Sequence, residues 1–513
     1  MNLSSILENA AERFKDRTAV LYGEHKISFA ALENNARKMA HALKNLGLKK
    51  GDRVAMLQSS NPEFVAVFFG IMKSGGIAVP LDSRYVADEL EGLLKDCTPV
   101  IFVVEEPCFT SLLPFFSRFK SVKHIITINA APDKRFISFH EIMEKYPAQN
   151  IRVEMKPNDP AIISYTGGPT MQPLGVTLSH RALQAEVEGS VAGFEQTEKD
   201  VMVLFALPMY HQFGLTAATL GSLFAGSTMV IVPGTGRSIE SFMETVQKDK
   251  GTMFMGVPYI YSLMINVAKR AGVKYDLSSL RLLCSGGAPL EPIVVERFKE
   301  AYGMNIHDIY GQTESICHVC RMPLHSAIKT GSSGTAIPGW EMKIYDETDK
   351  ELPPGTEGEI VLRGPIMSGF WNHPRESKEA LRRGWLHTGD IGYLDEEGYL
   401  FITARKRRML ILKGQNIFPA DIEEILGKHP AVAEARVAGH IDLIRGETVK
   451  AYVRLKKGAA ATEHELRQFC QGKMADYKIP KEVSIIEVIP DDLPLWRRPQ
   501  NITPTDLTME AKD

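Results

Sequence analysis

Short apolar runs alternate with amphipathic stretches through the first 330 residues. The runs are RVAML (53–57), GIAVPL (76–81), VIFVV (100–104), HIITI (124–128), AIISY (161–165), VMVLFAL (201–207), TMVIVP (228–233) and LRLLCSG (280–286). Each has strand length. Helical patterns fit between most of them, as in LENNARKMAHALKNLG (32–47) and PEFVAVFFGIMKSG (62–75). Strand and helix in alternation imply parallel sheets with helices on their faces, and eight strands suit either one doubly wound sheet or two sheets packed together. The opening MNLSSILENAAERFKDRTAV reads as an amphipathic helix.

From 330 to 404 the pattern changes. Glycines and prolines punctuate short strands in GSSGTAIPGWEMKIYD, LPPGTEGEIVLRG and GWLHTGDIGYLDEEGYLFITAR. This predicts antiparallel hairpins or a small β-barrel. The basic cluster Arg405-Lys406-Arg407-Arg408 follows, as a solvated turn or a hinge. A compact α/β pattern then returns, with ADIEEILGKH, VAEARVAGH, TVKAYVRLK, TEHELRQFCQGKM and VSIIEVI. The expected fold class is α/β. Residues 1–404 form a large N-terminal region, with α/β subdomains to about 330 and a β-rich part over 331–404. Residues 405–513 form a small mobile lid domain. The polar tail after Pro499 reads as frayed.

Length and composition agree with several lobes. The chain has 513 residues, too many for one core, and 44% are apolar. Its 60 basic and 62 acidic residues nearly cancel, which argues against a nucleic-acid binder with a broad basic field. The longest apolar run, VAVFFGIM (65–72), is too short to span a bilayer, so no integral membrane segment is expected. Six irregularly spaced cysteines make no disulfide framework, and a cytoplasmic setting is expected. Cys317-His318-Val319-Cys320, with His325 nearby, offers half a zinc site, but no second CxxC pair completes it. Buried thiols beside a loop are the better reading.

The candidate chemistry begins at YTGGPTMQPLGV (165–176). It lies between an apolar run and the helical SHRALQAEVEG, the strand–loop–helix layout of a phosphate site. It contains no lysine. Four further stretches complete a pattern: Ser285-Gly286-Gly287-Ala288-Pro289-Leu290, Tyr310-Gly311-Gln312-Thr313-Glu314, Trp385-Leu386-His387-Thr388-Gly389-Asp390, and Pro208-Met209-Tyr210-His211-Gln212-Phe213-Gly214-Leu215. Together, over nearly the whole chain, they resemble the adenylate-forming superfamily of acyl-CoA synthetases, luciferases and peptide-synthetase adenylation domains. That family makes an acyl-adenylate from a carboxylic acid and ATP with magnesium, and a thiol such as coenzyme A then displaces AMP. The resemblance implies a large N-terminal region and a small C-terminal domain that rotates between the two half-reactions.

It also implies roles for individual residues. Tyr310 and Gly311 border the adenine, Thr313 meets the α-phosphate, and Glu314 holds magnesium as the metal residue. Gly287, Ala288 and Pro289 wall the adenine and acyl pocket. Asp390 accepts from the ribose hydroxyls, and Arg405 reaches the same sugar. His211 gates the acyl pocket, with a satisfied core histidine as the alternative. Residues 208–215, 256–262, 286–288 and 334–339 would line that pocket. The stretch from Lys413 to Pro419 would line the pantetheine tunnel, with Gly414 giving passage to the thiol arm.

The pattern breaks twice. Relatives read roughly YTSGTTGxPKGV at the loop. Here Gly167, Pro169, Met171 and Leu174 replace a serine, a hydroxyl residue, a glycine and the lysine, while Thr166 and Thr170 remain. At the far end, where relatives place a catalytic lysine, LPLWRRPQ carries Gln500, with Arg498 two residues before it. Both losses fall on the ATP-driven half-reaction. The removal of one preorganised donor typically slows a reaction by about 10²–10³. Three readings follow: an ordinary acyl-CoA synthetase, an enzyme restricted to acyl-adenylate and a thiol acceptor, or a non-catalytic acyl- or nucleotide-binding pseudoenzyme. Synthetase-like descent with impaired adenylation is favoured. The partners expected are a carboxylic acid or its adenylate, with ATP or AMP, and coenzyme A or another thiol. Homodimerisation stays open.

Overall fold

Alternate residues of the apolar strands face different cores. Val54, Met56, Ile101 and Val103 belong to the central core, while their neighbours Ala55, Leu57, Phe102 and Val104 pack into a second one. Met202, Leu204, Met229 and Ile231 likewise join the central core, with Val203, Phe205, Val230 and Val232 facing a third. Two sheets with both faces covered therefore share one core between them. This computed structural model describes residues 2–130, 133–167, 173–232, 238–270, 275–406, 410–412, 415–442 and 446–489.

The first sheet has eight strands in the order Gly369–Phe370, Pro173–Ser179, Pro160–Gly167, Ile77–Leu81, Arg53–Leu57, Ile101–Glu105, His124–Ile128 and Ile137–Ser138. The second has nine, in the order Thr335–Ala336, Cys320–Arg321, His307–Tyr310, Leu282–Ser285, Met253–Gly256, Val201–Leu204, Thr228–Ile231, Thr18–Tyr22 and His25–Ser28. The interior pairings are parallel, and antiparallel pairs occur only toward the margins.

Helices fill the space between the sheets. In Pro62–Ser74 every residue but Glu63 is buried. Its ends follow from sequence: the Asn61 side chain accepts from the Phe64 N–H at 2.7 Å, proline stands in the first turn, and Gly75 closes the helix at φ +79°. Lys73 on this helix is fully buried. Its ammonium is 2.6 Å from Glu8 on Ser5–Phe14 and 2.8 Å from Glu33 on Phe29–Asn45. Three helices are thus tied at one point inside the core.

The strand–loop–helix reading of 165–189 needs correction. Pro160–Gly167 pairs antiparallel with Pro173–Ser179, and only then does helix His180–Gly193 begin, capped by Ser179. The loop joins two paired strands instead of opening a helix. Leu174 stands opposite Thr166 and is fully buried in the central core.

The β-rich part is a four-stranded antiparallel sheet of Glu341–Tyr345, Gly358–Arg363, Leu386–Leu394 and Leu400–Arg405. Its outer strands do not pair with each other, so it is an open sheet and not a closed barrel. Thr335–Ala336 still belongs to the second sheet, so this region proper begins at Glu341.

A fourth core lies in the C-terminal segment, from Leu410 through Val449 and Leu466 to Val483. The segment touches the N-terminal region through the turn Asp476–Lys478. Lys478 pairs with Glu89, whose carboxylate also accepts from the Ala475 N–H at 3.1 Å. Tyr477 donates to Asp82 at 3.4 Å, under the Arg84 guanidinium 4.2 Å from its ring centroid. Burial pushes Asp82 up, but the hydrogen bonds and charge of Arg84 outweigh it and hold the carboxyl below its usual range. No described helix is long and apolar enough to cross a membrane.

Candidate active site

The C-terminal ends of strands Leu282–Ser285 and His307–Tyr310 release two loops, Gly286–Leu290 and Gly311–Glu314, into one cavity of about 140 Å³. Thr166, at the end of a strand of the other sheet, faces the same space. So do His211, Gln212 and Phe213 at the start of the π-helical stretch Phe213–Leu220, and Thr388, Gly389, Asp390 and Arg405 from the β-rich sheet. Loops at strand ends in open α/β sheets are where ligands bind.

Close approach fixes the glycines. A Cβ on Gly311 would lie 1.9 Å from the Cys317 carbonyl oxygen, and one on Gly214 would lie 2.2 Å from that of Pro208. Neither position admits a side chain without moving backbone. Gly311 thereby lets the chain fold back and bring Cys317 and His318 to the cavity wall.

Asp390 and Arg405 are cross-strand partners in the β-rich sheet, with Arg405 Nε 3.5 Å from Asp390 Oδ1. The Tyr310 hydroxyl donates to Asp390 Oδ2 at 2.7 Å. The turn carrying Asp390 is held from behind by Glu359, which accepts from the Gly389 N–H at 3.1 Å and lies 3.1 Å from His387 Nδ1. Burial pushes Glu359 up, but the His387 hydrogen bond and the Lys406 charge bring it down to about 2. Its charge therefore persists at neutral pH and braces the turn.

His211 is half-buried, and its partial removal from water lowers its pKa to about 4. Its Nδ1 accepts from the Phe213 N–H at 3.3 Å, so the neutral ring carries its proton on Nε2. The buried hydroxyl oxygen of Thr166 has no hydrogen-bond partner among the described residues. A ligand oxygen would satisfy it.

Of the residues singled out from sequence, Thr166, His211, Gly287, Ala288, Pro289, Tyr310, Gly311, Thr313, Glu314, Asp390 and Arg405 share this cavity. Thr170, Gly414 and Gln500 lie outside the described residues, as do Pro169, Met171, Arg408, Lys413 and Arg498. The stretches 256–262 and 334–339 do not line the cavity: Tyr261 is fully buried and donates to the Cys284 carbonyl at 2.6 Å, and Ile337 packs in the central core. Asp308 and Ser333, bonded to each other at 2.9 Å, line it without having been singled out. Asp308 directly precedes the Ile-Tyr-Gly turn, and that adjacency was the available signal.

The half zinc site is not assembled. Cys320 Sγ donates to the Ser333 carbonyl, and His325 is exposed beside Glu195. Cys317 and His318 instead meet Glu186 from helix His180–Gly193, with one ligand-type atom of each within 4.8 Å of the others. Nothing in the sequence joined Glu186 to that motif.

Comparison with known proteins agrees with this geometry. The chain matches the AMP-binding enzyme family over residues 7–371 and the AMP-binding enzyme C-terminal domain over 421–493. It is 34% identical to a long-chain-fatty-acid–CoA ligase of Bacillus subtilis, covering 95% of this chain and 91% of the relative. It is 33% identical to an indoleacetate–CoA ligase of Aromatoleum aromaticum, covering 96% and 95%. Among solved structures it is similar to an anthranilate CoA ligase in complex with anthranoyl-AMP, with TM-score 0.76, 28% identity and coverage of 96% and 94%. It is also similar to an o-succinylbenzoate CoA synthetase from Bacillus subtilis bound to a product analogue, with TM-score 0.82, 26% identity and coverage of 96% and 97%. The chain belongs to the AMP-binding enzyme family, the adenylate-forming superfamily that includes the acid–CoA ligases.

Proposed function

We propose that this protein is an acid–thiol ligase that binds AMP or an acyl-adenylate and forms or cleaves an acyl thioester with coenzyme A, while its ATP-driven adenylation step is impaired. The observation that carries this reading is one cavity shared by an orphaned threonine hydroxyl, a half-buried neutral histidine and the Tyr310–Asp390–Arg405 set. Asp390 and Arg405 would hold the ribose, and the Thr166 hydroxyl would meet phosphate. The uncharged His211 would border the acyl group without drawing water to the reactive carbonyl. The donor set also suits magnesium: the Glu314 carboxylate would hold it, and the ion would neutralise phosphate charge. The thiol sulfur would then bond to the acyl carbon as the acyl–phosphate bond breaks and AMP leaves. The substitutions at 167, 169, 171 and 174 and at Gln500 support the impairment. Leu174 adds to it, since its buried stem offers nothing to a pyrophosphate. The six cysteines, all free, suit a reducing cytoplasm.

Two measurements test this. Calorimetry should find AMP bound at least as tightly as ATP, and Asp390→Ala should weaken AMP by about 1.5–3 kcal/mol, the range for hydrogen bonds to charged groups. Acyl-adenylate plus coenzyme A should yield thioester, with little exchange of labelled pyrophosphate into ATP. Robust exchange would remove the impairment. Bound AMP with no thioester would return the chain to a binding protein.

A further inference from the structure

Glu186, in the middle of helix His180–Gly193, is fully buried with both carboxyl oxygens engaged. Oε2 accepts from the Trp340 indole N–H at 2.9 Å. Oε1 accepts from the His318 backbone N–H at 3.3 Å and from the Ser190 hydroxyl at 3.4 Å. The His318 ring is 2% exposed and stacks on Phe194 at 4.7 Å, and its Nδ1 lies 3.4 Å from Glu186 Oε1. Stacking and the Nδ1 contact together fix the ring. Nε2, on the opposite side of the imidazole from that contact, has no hydrogen-bond partner among the described residues. An unsatisfied buried polar atom is costly, and native proteins keep few of them. His318 lines the cavity together with Phe213, Ile316 and Cys317, on the stretch just after Tyr310 that folds back against Gly311.

A cation does not suit this cluster. Three donors already point at Glu186, and burial pushes the Cys317 thiol far up, so it stays protonated. A second carboxylate does not suit it either. Burial holds His318 neutral, at about 3, so no positive charge awaits one. A hydroxyl fits, because it can donate to Nε2 or accept from it whichever ring nitrogen bears the proton.

We propose that the acyl end of the cavity closes on His318, fixed by Glu186, and that this site selects a carboxylic acid bearing a hydroxyl group at its end remote from the carboxylate over the matched unsubstituted acid. This rests on the acid–thiol ligase reading above. An alkyl end would leave the buried Nε2 unsatisfied, whereas a hydroxyl that displaces the ring's covering enough to reach it completes it. His318 and Glu186 divide the work: His318 touches the substrate, and Glu186 positions the ring.

The test uses non-hydrolysable acyl-sulfamoyl adenosines in matched pairs, alkanoyl against terminally hydroxylated alkanoyl at increasing length, and benzoyl against hydroxybenzoyl. Binding is measured by calorimetry on the full chain, with AMP as reference. In the wild type, the hydroxylated member of the pair that reaches His318 should bind about tenfold or more tighter, the equivalent of one buried hydrogen bond. His318→Phe keeps the stacking on Phe194 and should bring that ratio to about one while AMP affinity stays unchanged. Glu186→Gln, a second variant of the same shape, should reduce the ratio severalfold. No hydroxyl preference in the wild type, or a preference that survives His318→Phe, overturns the proposal. If AMP and every analogue fail to bind, the ligase reading falls and this inference falls with it.

Discussion

Burial raises the Glu186 carboxyl to about 8, despite its hydrogen bonds to Trp340, the His318 N–H and Ser190. The folded protein therefore keeps a proton there that the unfolded chain releases near the ordinary glutamate value. Its stability contribution is full below that value and is lost progressively as pH rises toward 8. Glu186→Gln, neutral at every pH, should show a melting temperature that gains on the wild type steadily between about pH 4.5 and 8 and then levels. A difference that is flat with pH would mean that the carboxyl is already ionised. The two kinds of site residue differed in legibility. Tyr310, Thr313 and Asp390 were readable because each sits in a compact signature whose spacing survives without the fold. Glu186 and His318 were not, since a single glutamate in a helical stretch reads as a solvated face until the fold sets a histidine 132 residues away against it.

At the scale of elements, apolar runs became strands where no motif competed. RVAML and HIITI match Arg53–Leu57 and His124–Ile128 residue for residue. Pro173–Ser179 was missed although VTL is good strand sequence, because the glycine-rich loop suggested a helix directly after it. Thr18–Tyr22 was partly absorbed into the opening helix, and Met253–Gly256 was given no element. Lys73 was hidden for a different reason: on an otherwise apolar helix, one lysine near the C-terminus reads as a favourable end charge. Its partners come from two other helices. Lys73→Ala would leave Glu33, 2% exposed, with only Arg37 at 2.7 Å, and should cost about 3–5 kcal/mol in urea unfolding, as when one partner of a buried pair is removed. A loss below about 1 kcal/mol would class the cluster with solvent-screened surface pairs.

At the scale of the molecule, the alternation of strand and helix announced sheets flanked by helices, but two sheets sharing a helical filling could not be told from one larger sheet. A change in glycine and charge texture was visible near 404, and a separate core begins at Leu410. How the C-terminal segment rests on the rest was not visible, because Glu89 and Lys478 lie 389 residues apart. Lys478→Ala removes the partner of Glu89 on the C-terminal side and leaves the Glu89 cap of helix Ala87–Cys97 in place. The C-terminal segment should then leave its seat more often, read as faster proteolytic cutting between residues 405 and 420, with the unfolding of the N-terminal core unchanged. Equal cutting rates would show that this contact does not hold the segment in place. Asp82 gives the same contact a wider reach. Tyr477 of the C-terminal segment donates to that carboxylate, and burial together with the charge of Asp82 raises the phenol of Tyr210, the neighbour of His211. Were Tyr477 to withdraw, Asp82 would be left to Arg84, and the charge felt by the phenol at 210 would change. Position 210 is therefore a built-in reporter. A fluorinated tyrosine there would give a resonance that shifts if the Asp476–Lys478 turn leaves Asp82.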